Sequence, residues 1–302
     1  MRIDGLVLID KPLGMTSNAA LQKIKKVLHV KKAGHTGSLD PLASGMLPIC
    51  LGQATKFSEY LLSADKSYQV TAKLGVRTSS GDLEGEVVSN KPVPELTSEM
   101  IENCLNQFRG AISQVPSMYS ALKHNGLPLY LYARQGIEIP REARAITIYE
   151  LRVLSVTANQ IELFVHCSKG TYIRSLVEDI GEFLGCGAHV THLRRLSVGA
   201  FKLEQMLELA QVAAEKLPYQ VLPIQAMLSH LPVVTVSPAL VFYLRQGQSV
   251  EAFDARHPGL VCLQQTDGVI IGVGEVSEDG RIMPRKILSQ LNAEIGSHID
   301  GI

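Results

Sequence analysis

The chain contains 302 residues, 46% of them apolar and 19% charged, and its formal net charge is zero. This length exceeds what a single apolar core usually serves, so we expect two domains. Zero net charge gives no support by itself for a nucleic-acid partner, and five scattered cysteines without a CxxC pair argue against a disulfide framework or a cysteine zinc site.

The N-terminal segment MRIDGLVLIDKP differs from a secretory signal peptide, because two acids flank its short apolar run. No apolar run in the sequence is long enough to span a bilayer. We therefore expect a cytoplasmic protein without membrane contact.

The first predicted elements are a strand and a lysine-rich helix. GLVLID at residues 5–10 predicts a buried strand. The segment from Thr16 to Gly34 predicts a helix with Thr16 or Ser17 as its cap and Gly34 at its end. Six lysines and no acid lie between Lys11 and Gly34. Such a run is typical of a solvated helix face as well as of a nucleic-acid surface.

The middle of the chain alternates strands and helices. Residues 66–75 place apolar side chains at every second position, which is the period of a half-buried strand. Thr97 begins a predicted helix, residues 146–157 and 161–167 predict two strands joined at ANQ, and a further helix opens near Thr171. Because strands outnumber helices and hairpins outnumber crossovers, the pattern favours an α+β fold with a mainly antiparallel sheet flanked by helices.

The last part of the chain predicts a linker and a second domain. Residues 203–217 predict another helix, and four prolines between residues 218 and 238 suit a connecting segment. Ser237 and Pro238 begin a short helix, and Asp267-Gly268 forms the turn of a hairpin. We therefore expect a larger domain over residues 1–230 and a small β-rich domain over residues 231–302.

A single acid, Asp40, stands in the glycine- and proline-rich stretch GHTGSLDPLASGMLPICLG at residues 34–52. Gly34 and Gly37 remove side chains on its approach, and Pro41 biases Asp40 toward an extended backbone. The pattern predicts a carboxylate held on a rigid loop with open space before it. An isolated Asp-Pro pair is also typical of an ordinary turn.

Five further segments accompany the Asp40 loop in a fixed order: LVLIDKPLGMTS, KSYQVTAKLGVRTSSGDLEG, QVPSMYSALKHNGLPLYLYARQGIEI, CSKGTYIRSLVEDIG and HVTHLRRLSVGAF. Together with GHTGSLDPLASGMLPICLGQATK, they resemble the motifs of the TruB-type tRNA pseudouridine-55 synthases over nearly the whole chain. One departure is Ser117, where we expect a second proline after Pro116. It affects the stiffness of that loop rather than the chemistry.

The resemblance implies the pseudouridine synthase fold and the isomerisation of uridine 55, in the T loop of tRNA, to pseudouridine without cofactor or metal. Asp40 would be the catalytic residue, either as a nucleophile or by abstracting a proton through a glycal intermediate. The base must first be flipped into a pocket. The resemblance assigns stacking on this base to Tyr68 and pairing with Asp40 to Arg174. The substrate-binding residues it implies are His35, Tyr68, Tyr172, Arg174 and Leu193.

The resemblance also implies an RNA-gripping insertion over residues about 110–146, which we expect to order on RNA binding, and a PUA-like RNA-binding terminal domain. A basic surface, to which Arg194 and Arg195 would contribute, would then hold the T-loop and T-stem of tRNA, with the acidic patch around Asp82 facing elsewhere. The expected docking residues are Lys25, Lys26, Lys31, Lys32, Lys123, Arg141 and Arg144.

Two alternative functions remain open: a tRNA-folding chaperone on the same scaffold, and a subunit of an RNA-guided rRNA pseudouridine synthase. The intact set of Asp40, Tyr68 and Arg174 favours catalysis over a pure chaperone. The insertion and the absence of long basic tails favour a stand-alone enzyme, which we expect to be a monomer without an obligatory protein partner. His189 and His192 are too few ligands to predict a metal site.

Overall fold

The computed structural model describes residues 3–212, 221–251 and 258–289. Nine strands of its first part form one sheet. They are β1 (Gly5–Lys11), β2 (Ala33–His35), β3 (Ala43–Leu51), β4 (Lys66–Leu74), β7 (Gly110–Gln114), β10 (Arg144–Val156), β11 (Gln160–Cys167), β12 (Ala188–Val198) and β13 (Leu207–Glu208). Two short ribbons lie outside this sheet: β5 (Val76–Thr78) with β6 (Val87–Asn90), and β8 (Lys123–His124) with β9 (Leu127–Pro128).

The strand order of the large sheet is β13-β1-β3-β12-β4-β11-β10-β7, with β2 added to β3. Six of these eight pairings are antiparallel, and only β13 with β1 and β12 with β3 are parallel. The predicted α+β fold with a mainly antiparallel sheet is therefore confirmed. The central position of β12 matters for the site, because its pairing places Leu193 beside Ala43, three residues after Asp40.

Seven α-helices are described: α1 (Ser17–Val27), α2 (Ser58–Leu62), α3 (Ser98–Asn106), α4 (Leu129–Ala133), α5 (Ile173–Phe183), α6 (Ile224–Met227) and α7 (Pro238–Arg245). The caps predicted for two of them are confirmed. Thr16 Oγ1 accepts a hydrogen bond from the backbone N–H of Ala19 at 3.0 Å, and Thr97 Oγ1 accepts one from Met100 at 3.2 Å. Each satisfies an N–H group that the first helical turn leaves unpaired.

The prediction that α1 continues to Gly34 is wrong. The helix ends at Val27, His29 takes a left-handed backbone with a φ of 51°, and Ala33–His35 joins the sheet as β2. Val30 and Ala33 still pack into the apolar cluster beneath α1, but they do so from extended chain. The apolar pattern of the sequence therefore continues beyond the end of the helix.

The helix predicted over residues 203–217 is also wrong in its described part. Leu203–Gln205 forms a single 3-10 turn, and Leu207–Glu208 pairs with the edge of the large sheet as β13. Residues 213–217 lie outside the described residues. Pairing with β1 overrides the local helical pattern here, as tertiary context commonly does.

The last part of the chain forms a second sheet of five strands in the order β14-β16-β17-β18-β15. The bounds are β14 (Val233–Val236), β15 (Val250–Glu251), β16 (Gly259–Gln265), β17 (Ile270–Val276) and β18 (Arg281–Ile287). The predicted hairpin is confirmed as β16 and β17, with Gly268 at a φ of 87° in its turn. The predicted short helix is confirmed as α7, with Ser237 as its cap and Pro238 at its start.

A shared apolar cluster connects the two sheets. Leu6 and Phe57 belong to the first part of the chain, whereas Cys262 and Val273 come from the second sheet. An ion pair between Lys286 and Glu59, with a separation of 2.6 Å, lies on the same side. The domain boundary at residues 230 and 231 stays a prediction. Among the described residues, no helix combines the length and the apolar character that crossing a membrane requires.

Candidate active site

Asp40 lies in the connection between β2 and β3, outside any regular element as predicted. Its loop is anchored on both sides. Ser17 Oγ accepts a hydrogen bond from the backbone N–H of Leu39 at 2.7 Å and donates one to the carbonyl of the same residue at 3.0 Å. The N–H of Gly14 donates to Pro41 O at 2.8 Å. The residues on either side of Asp40 are thus fixed by the start of α1 and the turn before it.

Arg195 holds the Asp40 loop and the start of β3 through hydrogen bonds to their backbone. Its side chain is 2% exposed, and it donates from Nε to Met46 O at 2.6 Å and from Nη2 to Gly37 O at 3.1 Å. Gly45 lies against the backbone of β12, since a Cβ on Gly45 would come within 2.2 Å of Arg195 O. The expectation that Arg195 supplies an RNA-facing cation is therefore wrong, because this residue is buried. Arg194 is partly exposed and paired with Asp10 at 2.6 Å, and its place on the basic surface stays a prediction.

Arg174 joins the Asp40 loop to α5. Its Nε lies 3.1 Å from Asp40 Oδ2, as expected for an ion pair. The remaining nitrogens are held by two backbone carbonyls, with Nη1 donating to Ser80 O at 2.7 Å and Nη2 donating to Tyr119 O at 2.6 Å. Because the Arg174 side chain is only 8% exposed, these partners fix the orientation of its guanidinium plane.

A second carboxylate, Asp82, faces the same guanidinium. Its Oδ2 lies 3.6 Å from Arg174 Nη1, and its Oδ1 accepts hydrogen bonds from the hydroxyl of Ser80 and the backbone N–H of Glu84. The expectation that the Asp82 patch faces away from the site is therefore wrong. The turn after β5 folds back so that Asp82 forms an isolated bridge with Val190 of β12. Arg174 is consequently shared between two carboxylates.

The electrostatic surroundings of Asp40 act in opposite directions. Burial raises the pKa of this carboxyl above its ordinary value, Arg174 opposes that rise, and the negative charge of Asp82 adds to it. The net pKa is raised. The side chain is still 45% exposed, so an incoming group can reach it.

Lys11 is a further cation near Asp40, and the sequence analysis assigned it no role at the site. Its side chain is fully buried, and its Nζ donates to Pro12 O at 2.9 Å and to Met15 O at 2.6 Å. Burial lowers the pKa of Lys11 to about 8, partly offset by the charge of Asp40. Lys11 thus stabilises the turn at residues 12–15, in which Gly14 contacts Pro41.

Of the other predicted substrate-binding residues, Leu193 lines the crevice at Asp40, whereas Tyr68, Tyr172 and His35 do not. Tyr68 is buried on β4, its hydroxyl is hydrogen-bonded to Arg195, and burial raises its pKa. Tyr172 is the N-cap of α5, two residues before Arg174. His35 lies on β2, where burial and then Arg195 lower its pKa. A crevice at the centre is lined by Asp40, Leu42, Ala43, Asp82, Arg174, Val190, Thr191 and Leu193.

Between β7 and β10, residues 115–143 of the predicted insertion lie outside the large sheet and contain a hairpin, β8 with β9, followed by α4. Tyr119 connects it to the site through the hydrogen bond from Arg174. Lys123, Arg141 and Arg144 line one groove of this segment. Arg141 is also paired with Glu138 at 3.2 Å, so part of its charge is neutralised within the segment.

The four predicted docking lysines in and after α1 do not line the Asp40 crevice. Lys25 and Lys26 occupy the last turn of α1. Lys31 and Lys32 line a separate cavity together with Lys56 and Ser289, at the end of the second sheet. That cavity and the Asp40 crevice share no lining residue.

Residues 3–212, 221–251 and 258–289 contain no cluster of three or more His, Cys, Asp or Glu side chains with the geometry to hold a metal ion. His189 is buried and its Nδ1 is hydrogen-bonded to Val76 O at 2.8 Å, which makes it a structural residue. All five cysteines are buried thiols, as the sequence indicated.

Three family models match successive parts of the chain. The N-terminal domain of TruB family pseudouridylate synthases matches residues 25–173. The tRNA pseudouridylate synthase B C-terminal domain matches residues 174–229, and the C-terminal domain of pseudouridine synthase II TruB matches residues 232–288.

Curated relatives are similar over almost the full chain. A tRNA pseudouridine synthase B of Coxiella burnetii is 54% identical, covering 95% of this chain and 96% of the relative. One from Aeromonas salmonicida is 53% identical, covering 95% and 94%. Among solved structures, the crystal structure of a Cbf5-Nop10-Gar1 complex contains a chain that is 26% identical, with a TM-score of 0.73, covering 94% of this chain and 84% of that chain.

Proposed function

The chain belongs to the TruB family of pseudouridylate synthases, and we propose that it isomerises uridine 55 in the T loop of tRNA to pseudouridine. The name of its curated relatives, tRNA pseudouridine synthase B, supports tRNA as the substrate. The choice of position 55 rests on the resemblance of the motifs. No other protein takes part in this reaction as proposed.

The observation that carries the proposal is the Asp40–Arg174 pair in the central crevice. In the isomerisation, the bond between N1 of uracil and C1′ of ribose breaks, the base turns, and C5 bonds to C1′. N1 gains a proton and C5 loses one, so the atoms balance without a co-reactant. Asp40 is the exposed carboxylate of the crevice, and it acts either by attack on C1′ or by removing the proton at C2′ to give a glycal.

Each neighbour has a part in this proposal. Arg174 counters the rise in the pKa of Asp40 and so favours its ionised form. Tyr68 supplies an aromatic face for the flipped uracil, and Leu193 and Tyr172 form the pocket wall. His35 contacts the RNA next to the flipped nucleotide. The groove lined by Lys123, Arg141 and Arg144 holds phosphates.

The alternatives receive less support. A chaperone needs RNA affinity, but it needs no exposed carboxylate that is paired with Arg174 and carried by a loop anchored at Ser17 and Gly14. The solved Cbf5-Nop10-Gar1 complex contains a chain that resembles this one in fold, and that structure is an assembly of several proteins. The relatives named for tRNA are about twice as similar in sequence, at 54% against 26% identity.

The test is incubation of the purified chain with an unmodified tRNA transcript, followed by mapping of pseudouridine along the RNA. We expect modification at position 55 alone. A transcript with cytidine at that position is the matched control and should remain unmodified. Modification of other uridines would refute the assigned position, and a complete lack of pseudouridine would refute the activity on tRNA. Modification that requires an added guide RNA or protein would support the Cbf5-like alternative.

A further inference from the structure

Gln114 lies at the junction between the large sheet and the insertion. It is the last residue of β7 and the one fully buried position of that strand, with 3% of the residue exposed. The next residues, Val115 and Pro116, begin the insertion. A buried amide has to find partners for both its oxygen and its nitrogen, because an unpaired polar group in the interior is costly.

Both partners belong to the same residue, Tyr172. The backbone N–H of Tyr172 donates to Gln114 Oε1 at 2.8 Å, and Gln114 Nε2 donates to Tyr172 O at 3.0 Å. The side-chain amide thus binds the Tyr172 backbone as a neighbouring strand would. As the N-cap of α5, Tyr172 has an extended backbone and its side chain makes no capping hydrogen bond, and its backbone N–H is satisfied by Gln114.

The same backbone unit determines how α5 begins. The carbonyl of Tyr172 also accepts the first hydrogen bond of the helix, from the N–H of Leu176 at 3.1 Å. Arg174 follows two residues later, so the direction from which its guanidinium approaches Asp40 depends on this first turn. Gln114 therefore makes its hydrogen bonds to neither Asp40 nor Arg174. It fixes the backbone of Tyr172, which leads into Arg174 two residues later.

A second contact closes a ring between the insertion and α5. Arg174 Nη2 donates to Tyr119 O, five residues after Gln114. The end of β7 is thus tied to α5 at Gln114–Tyr172, and the insertion is tied to it at Tyr119–Arg174. Movement of the insertion around bound RNA is transmitted to the helix start unless one of the two ties stays fixed.

We propose that Gln114 is a positioning residue for the reaction: its amide is the fixed tie that holds Tyr172 and the first turn of α5 in place while the insertion grips RNA. This role rests on the proposed function. The amide is required rather than a residue of the same shape, since a carboxylate at this position lacks the donor for Tyr172 O, and methionine lacks both groups.

The experiment compares Gln114→Met and Gln114→Glu with the parent protein in single-turnover formation of pseudouridine at position 55 and in binding of tRNA. We expect the rate at saturating enzyme to fall at least about tenfold, because a small misplacement of a catalytic frame is costly, with affinity changed by less than about threefold. Hydrogen exchange at the Tyr172 amide should accelerate in the free variants. Exchange reports the tie independently of activity.

The chain offers a matched control in Gln53. Its amide makes the same reciprocal pair with the backbone of Ser289, accepting from the N–H at 2.6 Å and donating to the carbonyl at 3.3 Å, and it is also buried. Gln53→Met removes an equivalent pair far from the Asp40 crevice. We expect it to lower the melting temperature by a similar amount while the rate stays within about twofold of the parent.

The outcomes separate the two proposals. A parent protein that makes no pseudouridine refutes the proposed function. An active parent with an unchanged rate in Gln114→Met, or with an equal loss of rate in Gln53→Met, overturns the positioning role alone. Unchanged exchange at Tyr172 overturns it as well, since the tie would then not hold that backbone.

Discussion

Substitution of Ser17 by alanine should loosen the Asp40 loop without touching the crevice. The hydroxyl satisfies both the N–H and the carbonyl of Leu39, the residue before Asp40. Leu39 is 6% exposed, so water does not readily replace the lost partner. An unpaired buried N–H costs about 1–3 kcal/mol, and the carbonyl adds less because it has two lone pairs. We expect the free energy of unfolding to fall by about 2 kcal/mol.

Ser17→Ala should also slow the chemical step. In a protein of 302 residues, 2 kcal/mol corresponds to a fall in melting temperature of about 3 °C, which calorimetry can measure. A shift of Asp40 by about 1 Å lowers the rate of the chemical step by up to ~100-fold. Single-turnover formation of pseudouridine should therefore slow by about 10–100-fold, with tRNA affinity within about threefold of the parent.

Thr16→Ala is the matched control. Thr16 precedes Ser17 and caps α1 through the N–H of Ala19, but it has no contact with the Asp40 loop among the described hydrogen bonds. Losing this cap costs about 1 kcal/mol, and the rate should stay within about twofold of the parent. A normal rate in Ser17→Ala, or an equal loss in both variants, would refute the role of Ser17 in holding Asp40.

The remaining predictions concern the chemistry and the RNA. Asp40→Asn should abolish pseudouridine formation while tRNA affinity falls by less than about tenfold. Measurable product from this variant would remove Asp40 from the mechanism. In the parent protein, the rate should decline as pH falls through the raised pKa of Asp40, at a higher pH than for a free aspartate. Activity should survive EDTA and dialysis, and restoration of lost activity by zinc would contradict this. The logarithm of tRNA affinity should fall with the logarithm of salt at a slope of about −4 to −5 if roughly six phosphates are neutralised. Charge removal at Lys25, Lys26 or Arg144 should make that slope shallower, and Tyr68→Ala should leave it unchanged while slowing turnover.

Local patterns in the sequence predicted the regular elements well wherever one face of an element is buried. Residues of β4 alternate between buried and half-buried as their spacing indicated, and Thr97 caps α3. One error arose because the apolar sequence pattern continues beyond the end of α1, where Val30 packs into the same apolar cluster outside the helix. The helix predicted at Leu207 was wrong because the conformation of this segment depends on pairing with β1, about 200 residues earlier in the chain.

The candidate site was predicted in part. Motifs identified Asp40 and Arg174, and their ion pair is present. Asp82, Gln114 and Ser17 were missed although all three lie inside the recognised motifs. Their roles arise from contacts across 22 to 92 residues of chain, and residue spacing carries no signal for such contacts. Buried Arg195 was mistaken for a surface cation because its charge gave no indication of the three partners that enclose it.

The shared apolar cluster between the two sheets has a consequence for how the protein unfolds. Leu6 and Phe57 lose their cover from Cys262 and Val273 if the second sheet separates, and apolar side chains turned toward water destabilise what remains. Heating should thus melt both sheets in a single calorimetric transition, with equal calorimetric and van't Hoff enthalpies. A fragment ending near Leu231 should aggregate rather than persist as a shortened enzyme, because its exposed cluster would seek another copy of itself.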